Sequence, residues 1–225
     1  MLLLGLDTAT PAVTVALFGD DGALAEHTAP DDRRHGELLA PAIDSVLRAA
    51  GVTTSDLTGV AVGVGPGPFT GLRVGLMTAR MMGSALAVPV HGVCTLDALA
   101  LEAVDRGTGV DEPFRVATDA RRKEVYWAAY VSRPSASAGG GASARVTRTD
   151  GPHVARPAEV AWDGPVAGQG PQLYPGSFPD GRDPRRPSAA VLCRWVAEGY
   201  PTLEPLPLYL RRPDAAEPPA ARSRG

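Results

Sequence analysis

At 225 residues, the chain is long enough for one large domain or two of about a hundred residues, and its 44% apolar and 21% charged content is that of an ordinary globular protein. A net charge of -3 argues against a protein that holds nucleic acid by charge alone. No stretch reaches the roughly 20 apolar residues that span a bilayer, and Leu2 to Leu6 has no basic lead and runs into Asp7, so neither a membrane anchor nor an export signal is read.

Three strands open the chain. Met1 to Leu6 is apolar, Val13 to Phe18 alternates through Val13, Val15 and Leu17, and Ala23 to Thr28 alternates more weakly after the Asp20-Asp21-Gly22 turn. Between the first two lies a turn rich in hydroxyls, Asp7-Thr8-Ala9-Thr10-Pro11. Asp7, at the end of a buried strand, suits either of two tasks: orienting water or a metal near a phosphate, or capping the turn. Asp31 to Gly36 is a charged loop. Glu37 to Ala50 then carries Leu38, Leu39, Ala42, Ile43, Val46, Leu47 and Ala50 at helical spacing and ends at Gly51, with Pro41 marking either a late start or a bend.

The most distinctive stretch follows, from Gly59 to Val90. Val60 to Val64 reads as a buried strand closed by Gly65-Pro66-Gly67-Pro68. Thr70 is expected to cap the helix that follows. In that helix Gly71, Gly75, Ala79, Gly83 and Ala87 recur at every fourth position, a ridge with little or no side chain. Glycine in a helix costs about 0.8 to 1 kcal/mol relative to alanine, so three of them call for a reason, and close approach of another helix is the one expected here. Leu72, Leu76, Met82 and Leu86 flank the ridge on one side and Val74, Met77, Met81 and Ala85 on the other. Only Arg73, Arg80 and Ser84 make a polar stripe. A helix apolar nearly all round is buried on more than one side, which leaves two readings: a surface for a second subunit, or the central helix of a single core.

Val88 to Val93 reads as another strand and Thr95 to Asp105 as another helix. A meander followed by alternating units implies a mixed sheet covered by helices. Arg106 to Pro113 is polar and is taken as a boundary, giving a first lobe over 1–106, a smaller second lobe over 107–212 and a disordered tail over 213–225. Phe114 to Asp119 and Glu124 to Val131 read as paired strands around the basic tip Ala120-Arg121-Arg122-Lys123. Ser132 to Ser143 is a low-complexity insertion expected as a flexible loop. Arg145 to Val154 reads as a strand, Pro157 to Trp162 as a helical turn, and Pro165 to Gln169 as a short strand. Pro171 to Pro187 should be mostly irregular, and Ser188 to Glu198 is helical.

The search for chemistry excludes more than it finds. Lys123 is the single lysine, so a phosphate-loop lysine, a Schiff base or a serine/lysine dyad must use it or does not exist here. Gly63 to Pro68 has its glycines wrongly spaced for a dinucleotide loop, and its two prolines remove amide donors. A nucleophile elbow is also missing. His27, His35, His91 and His153 include no pair three or four apart, so no helix presents two imidazoles to one metal. Cys94 and Cys193 are too few for a disulfide framework and point to a reducing compartment, so a cytoplasmic protein is expected. The helix start at Thr70 suits an anion, or is only a sharp turn. The Arg121 to Lys123 tip suits RNA phosphates, or is only solvated.

Several motifs together resemble one family, and they occur in its usual order. They are LGLDTATP at Leu4 to Pro11, RHGELL at Arg34 to Leu39, GPGPFTGLRVG at Gly65 to Gly75, DARRKEVY at Asp119 to Tyr126, and Tyr209-Leu210-Arg211. The chain, to about Arg212, is similar to the bacterial TsaB family of tRNA threonylcarbamoyladenosine biosynthesis proteins. That resemblance implies two ribonuclease-H-like lobes of the actin-like ATPase superfold, in agreement with the meander and alternation above. It implies a non-catalytic scaffold that heterodimerises with the catalytic paralogue TsaD, with TsaE as a further ATPase partner and tRNA reached through the complex. It also implies that the complex uses ATP while this chain alone holds no cofactor and no metal, and that a homodimer can form through the same surface. The expected partner residues are Leu38, Leu39, Ala42, Gly71, Leu72, Arg73, Gly75, Leu76, Ala79, Arg80, Met82 and Gly83. Asp7 and Thr8 stand where the superfold has its first phosphate loop, a vestigial nucleotide site narrowed by Thr8 in place of the usual glycine. Thr95 and Leu99 match two metal-binding histidines of TsaD-like proteins, and neither side chain can replace an imidazole. Two departures are visible: Gly36, where the family often has serine, and the long 132–143 insertion. The competing class is an autonomous actin-like phosphotransferase or metallopeptidase.

Overall fold

The computed structural model describes residues 1–30, 34–109, 112–136 and 142–211. In chain order the strands and helices are β1 (Leu3–Asp7), β2 (Ala12–Gly19), β3 (Gly22–Pro30), α1 (His35–Ala50), β4 (Gly59–Gly63), α2 (Phe69–Leu86), β5 (Val90–Val93) and α3 (Thr95–Asp105). They continue as β6 (Phe114–Asp119), β7 (Val125–Ala136), β8 (Ala142–Ala155), β9 (Val166–Ala167), α4 (Gly170–Leu173), β10 (Gly181–Arg182) and α5 (Ala189–Ala197).

Two five-stranded sheets result, and they share one plan. The first runs β3-β2-β1-β4-β5, antiparallel across the meander and parallel from β1 through β4 to β5. Read from the other edge, the second runs β8-β7-β6-β9-β10 with the same senses. This is the expected ribonuclease-H-like arrangement, made twice. A parallel neighbour needs a crossover, so the helices lie on the sheet faces and the strands between them are apolar on both sides.

Alternation along β1 assigns the two faces. Leu4 and Leu6 join α1 and α2 in one core, with Leu39, Ile43, Val46, Leu72, Leu76 and Ala79. Leu3 joins α3, α5 and the second sheet in another, with Leu99, Phe114, Tyr130, Leu192 and Trp195. Gly5 has no side chain because α5 lies on it: a Cβ there would collide with the Ala189 carbonyl and stand 2.8 Å from Cys193 Sγ. The 107–212 stretch thus returns one helix to the first sheet, while α3 packs against the second.

Some expectations change. Helix α2 is capped by Pro68 and begins at Phe69, so Thr70 sits in the first turn and is exposed instead of capping. Pro41 lies inside α1 on its exposed side, where a missing amide hydrogen bond is tolerated. Much of the insertion expected as a flexible loop is strand. The pairing of β7 with β8 continues from Ser132↔Val146 to Ala136↔Ala142, because an antiparallel ladder is made by backbone groups that alanine and serine supply as well as larger residues. Residues 137–141 of that insertion, residues 31–33 of the charged loop and the tail over 213–225 lie outside the described residues.

Candidate functional site

Strand β1 delivers Asp7 to the end of the first sheet, and the carboxylate is used up there. Its Oδ1 accepts from the Ala9 amide at 2.7 Å and its Oδ2 from the Thr95 hydroxyl at 2.7 Å. The side chain is fully buried, and that burial pushes its pKa up to about 6 against the opposing pull of these two hydrogen bonds and of nearby His35. Gly63 on β4 leaves the room, since a Cβ there would overlap Asp7 Oδ2. Thr8 is equally committed. Its hydroxyl donates to the Gly71 carbonyl at 2.8 Å and accepts from the Gly75 amide at 3.1 Å, bridging the two groups that an α-helix bonds to each other. The expectation that Asp7 and Thr8 form a residual nucleotide site is therefore corrected: both spend their polar atoms inside the fold, and both are buried.

This plug explains the small-residue ridge. A Cβ on Gly71 would stand 2.8 Å from the Thr8 carbonyl oxygen and 3.4 Å from His35 Nε2. One on Gly75 would overlap Thr8 Oγ1, and one on Gly83 would overlap Val90 Cγ2 and stand 3.1 Å from the Val88 carbonyl oxygen. Ala79 is fully buried in the same core. The ridge faces this chain's own first lobe, so its expected use as a docking spine is corrected. Glycine permits close approach to whatever lies nearest, and here that is the β1–β2 turn and β5.

The expected partner residues divide accordingly. Leu39, Ala42, Leu72, Leu76 and Ala79 are buried in the core under α1 and α2, with Gly71, Gly75 and Gly83 against the chain itself. These eight are not available to a second chain. Leu38 and Met82 are half-buried, and Arg73 and Arg80 are exposed. The outer face of α2 also presents Met77 and Met81, 53% and 67% exposed, with Val74 half-buried beside them. Both methionines were visible in the sequence as flanks of the ridge. The missing signal was orientation, because a helix apolar nearly all round has no polar face to reveal its outside.

A C-terminal strap borders this face. Leu203 and Gly92 exchange backbone hydrogen bonds of 2.8 and 2.9 Å, and the Leu208 amide donates to the Val64 carbonyl at 2.8 Å. Arg73 Nε then donates to the Tyr209 hydroxyl at 2.8 Å. Arg211 reaches the second lobe, donating to the Ala120 carbonyl at 2.9 Å and pairing with Glu124. It thereby holds a β6–β7 hairpin whose Arg121, Arg122 and Lys123 all take left-handed backbone conformations, φ 59°, 55° and 59°. A cleft of 230 Å³ lies between these parts, lined by Thr10, Pro11, His35, Thr70, Val74 and Arg121. His35 Nε2 carries a proton there, since it faces the Thr10 carbonyl at 3.0 Å.

A family model described as TsaD, tRNA N6-adenosine threonylcarbamoyltransferase, matches residues 23–163. The chain belongs to this family. Within it the chain is TsaB-like. The solved structure of YeaZ from Pseudomonas aeruginosa superposes with a TM-score of 0.74 at 31% identity, covering 93% of this chain and 99% of that one. The Escherichia coli tRNA threonylcarbamoyladenosine biosynthesis protein TsaB is 37% identical over 58% of this chain and 55% of its own length. A Mycobacterium tuberculosis protein is 40% identical over 95% of this chain and 93% of its own. Thr95 is the hydrogen-bond donor to Asp7, and Leu99 is buried in the α3 core.

Proposed function

We propose that this TsaB-like chain is the non-catalytic scaffold of a complex that adds threonylcarbamoyl to the adenosine next to the anticodon of tRNAs reading codons that begin with A. It works by heterodimerising with TsaD. The observation that carries this is the sealed first phosphate loop: Asp7 and Thr8, where the superfold would bind a nucleotide, are fully engaged with Ala9, Thr95, Gly71 and Gly75. Chemistry is left to the partner. The docking face is the outer side of α2, where Met77 and Met81 form an apolar centre and Arg73 and Arg80 a charged rim, the composition expected of an interface core and its edge. TsaE is a further ATPase partner, the complex uses ATP, tRNA is reached through the complex, and in the absence of TsaD the same face makes a homodimer.

The test is a double variant, Met77→Asp with Met81→Asp. Both side chains are exposed, so the stability of the isolated chain should change by no more than about 0.5 kcal/mol for each. Copurification with TsaD should be lost, and cells carrying only the variant should lose threonylcarbamoyladenosine from their tRNA. Undiminished copurification overturns the docking face. A normal nucleoside level in cells lacking the chain overturns the role itself.

A further inference from the structure

The described residues enclose a second hollow that shares no lining residue with the cleft beside Thr8 and His35. It lies between β8, the start of α3 and the segment after α5, has a volume of 300 Å³, and is lined by Asp97, Arg145, Arg148, Trp195, Tyr200 and Leu203 among others. We propose that this hollow binds a small organic carboxylate with a flat apolar body.

The walls supply the two halves of that ligand. Trp195 and Tyr200 stack with ring centroids 4.1 Å apart and planes 22° from parallel, and neither ring is free to turn. The indole Nε1 donates to the Pro201 carbonyl at 2.9 Å, and the Tyr200 hydroxyl accepts from the Val146 amide at 3.3 Å. With Pro201 and Leu203 they make a preformed apolar slot, which costs a ligand little reorganisation. Charge is the second half. Two guanidiniums line the hollow and only one carboxylate does, leaving an excess of one positive charge. Asp97 is already engaged: its Oδ1 accepts the Tyr130 hydroxyl at 2.8 Å and faces Arg148 Nη1 at 3.3 Å. Arg148 is thus held by its ion pair with Asp97 and contributes positive charge to the wall. The Arg145 guanidinium lies 4.6 Å over the Tyr200 ring, and among the described residues it has no carboxylate partner. The Arg145 guanidinium beside an aromatic slot is suited to a planar carboxylate, because its fork of N–H groups matches the two oxygens.

A larger hollow of 540 Å³ beside Glu102 shows the contrast. Its wall is charged and amide side chains with Pro184 as the one apolar residue, and two of its arginines are already paired, Arg106 with Glu102 and Arg185 with Asp183. It reads as a solvated groove. Ligand sites combine an apolar wall with a few convergent polar groups, and the smaller hollow has both.

The proposal is independent of the docking face. Sodium benzoate, added to the full ¹⁵N-labelled chain and followed by NMR at constant ionic strength, should give saturable shifts at the Thr147 amide and the Trp195 indole. Benzyl alcohol, the same ring without the charge, should bind at least about tenfold more weakly, and so should benzoate to the Arg145→Gln variant, whose exposed side chain is not needed for folding. Shifts that fail to saturate overturn the proposal. So does equal binding of benzyl alcohol, or an Arg145→Gln variant that binds benzoate as the unaltered chain does.

Discussion

Replacing Gly75 by alanine separates the two possible uses of the small-residue ridge. On an exposed helix the change should stabilise by about 1 kcal/mol through helix propensity. Here the added Cβ would overlap Thr8 Oγ1 and press on Thr8 Cγ2 at 3.4 Å. Overpacking of this kind costs about 1–3 kcal/mol, and displacing the Thr8 hydroxyl also weakens its two hydrogen bonds, each worth about 1 kcal/mol. The net expectation is a loss of about 2 kcal/mol. Thr8→Ala supplies the control, since it removes the clashing atoms and leaves a Cβ that the new methyl would meet at 3.5 Å, an ordinary contact. Thr8→Ala with Gly75→Ala should therefore be more stable than Gly75→Ala alone, with a favourable coupling of about 2 kcal/mol in a double-mutant cycle. Urea unfolding of the four proteins measures this, provided the slope of the transition is common to them. A Gly75→Ala protein as stable as the parent or more so, with Thr8→Ala simply additive, would refute the inward packing and return the ridge to the surface.

Asp7 makes a pH-dependent claim. Its folded pKa of about 6 lies above the ordinary 3.8, so the folded state holds the proton more tightly. The stabilisation is present in full below about 3.8 and is lost as pH rises through about 6, and the gap between the two values sets a ceiling of about 3 kcal/mol. Asp7→Asn, which keeps an acceptor for Ala9 and can donate to Thr95, should flatten that part of the profile; an unchanged slope between pH 4 and 7 would count against a buried carboxyl. Lys123→Gly should raise stability by about 1 kcal/mol, because the left-handed backbone there disfavours a side chain, and a lower unfolding midpoint would contradict it. Arg211→Ala removes the contacts to Ala120 and Glu124 and should speed amide exchange across Asp119 to Val125, with the outer face of α2 unaffected. Unchanged exchange there would mean that the strap does not hold the hairpin.

Much of the architecture was legible because it rests on local periodicity. The meander of β1 to β3, the amphipathic run of α1 and the strand, turn and helix around Gly65 to Pro68 each carry their own pattern, and pairing sense follows from whether the connection is a tight turn or a helix. Residues 132–136 and 142–143 look like a linker in the sequence, whereas their backbones pair from Ser132↔Val146 to Ala136↔Ala142, and such pairing needs no large side chains. The return of α5 to β1 was also hidden, since nothing near Gly5 in the sequence points to a neighbour at Ala189 and Cys193.

By itself the sequence determined that α2 has a stripe where only the smallest residues are allowed, that Asp7 and Thr8 stand at a strand end, and which family the motifs belong to. The tertiary structure alone decided what fills the stripe. Spacing along a helix specifies which side chains share a face, but it says nothing about what that face meets, and a hydroxyl from Thr8, far away in the chain, takes the space beside Gly75. That contact turns the ridge inward, engages the Thr8 hydroxyl within the fold, and leaves Met77 and Met81 exposed on the outer face of α2.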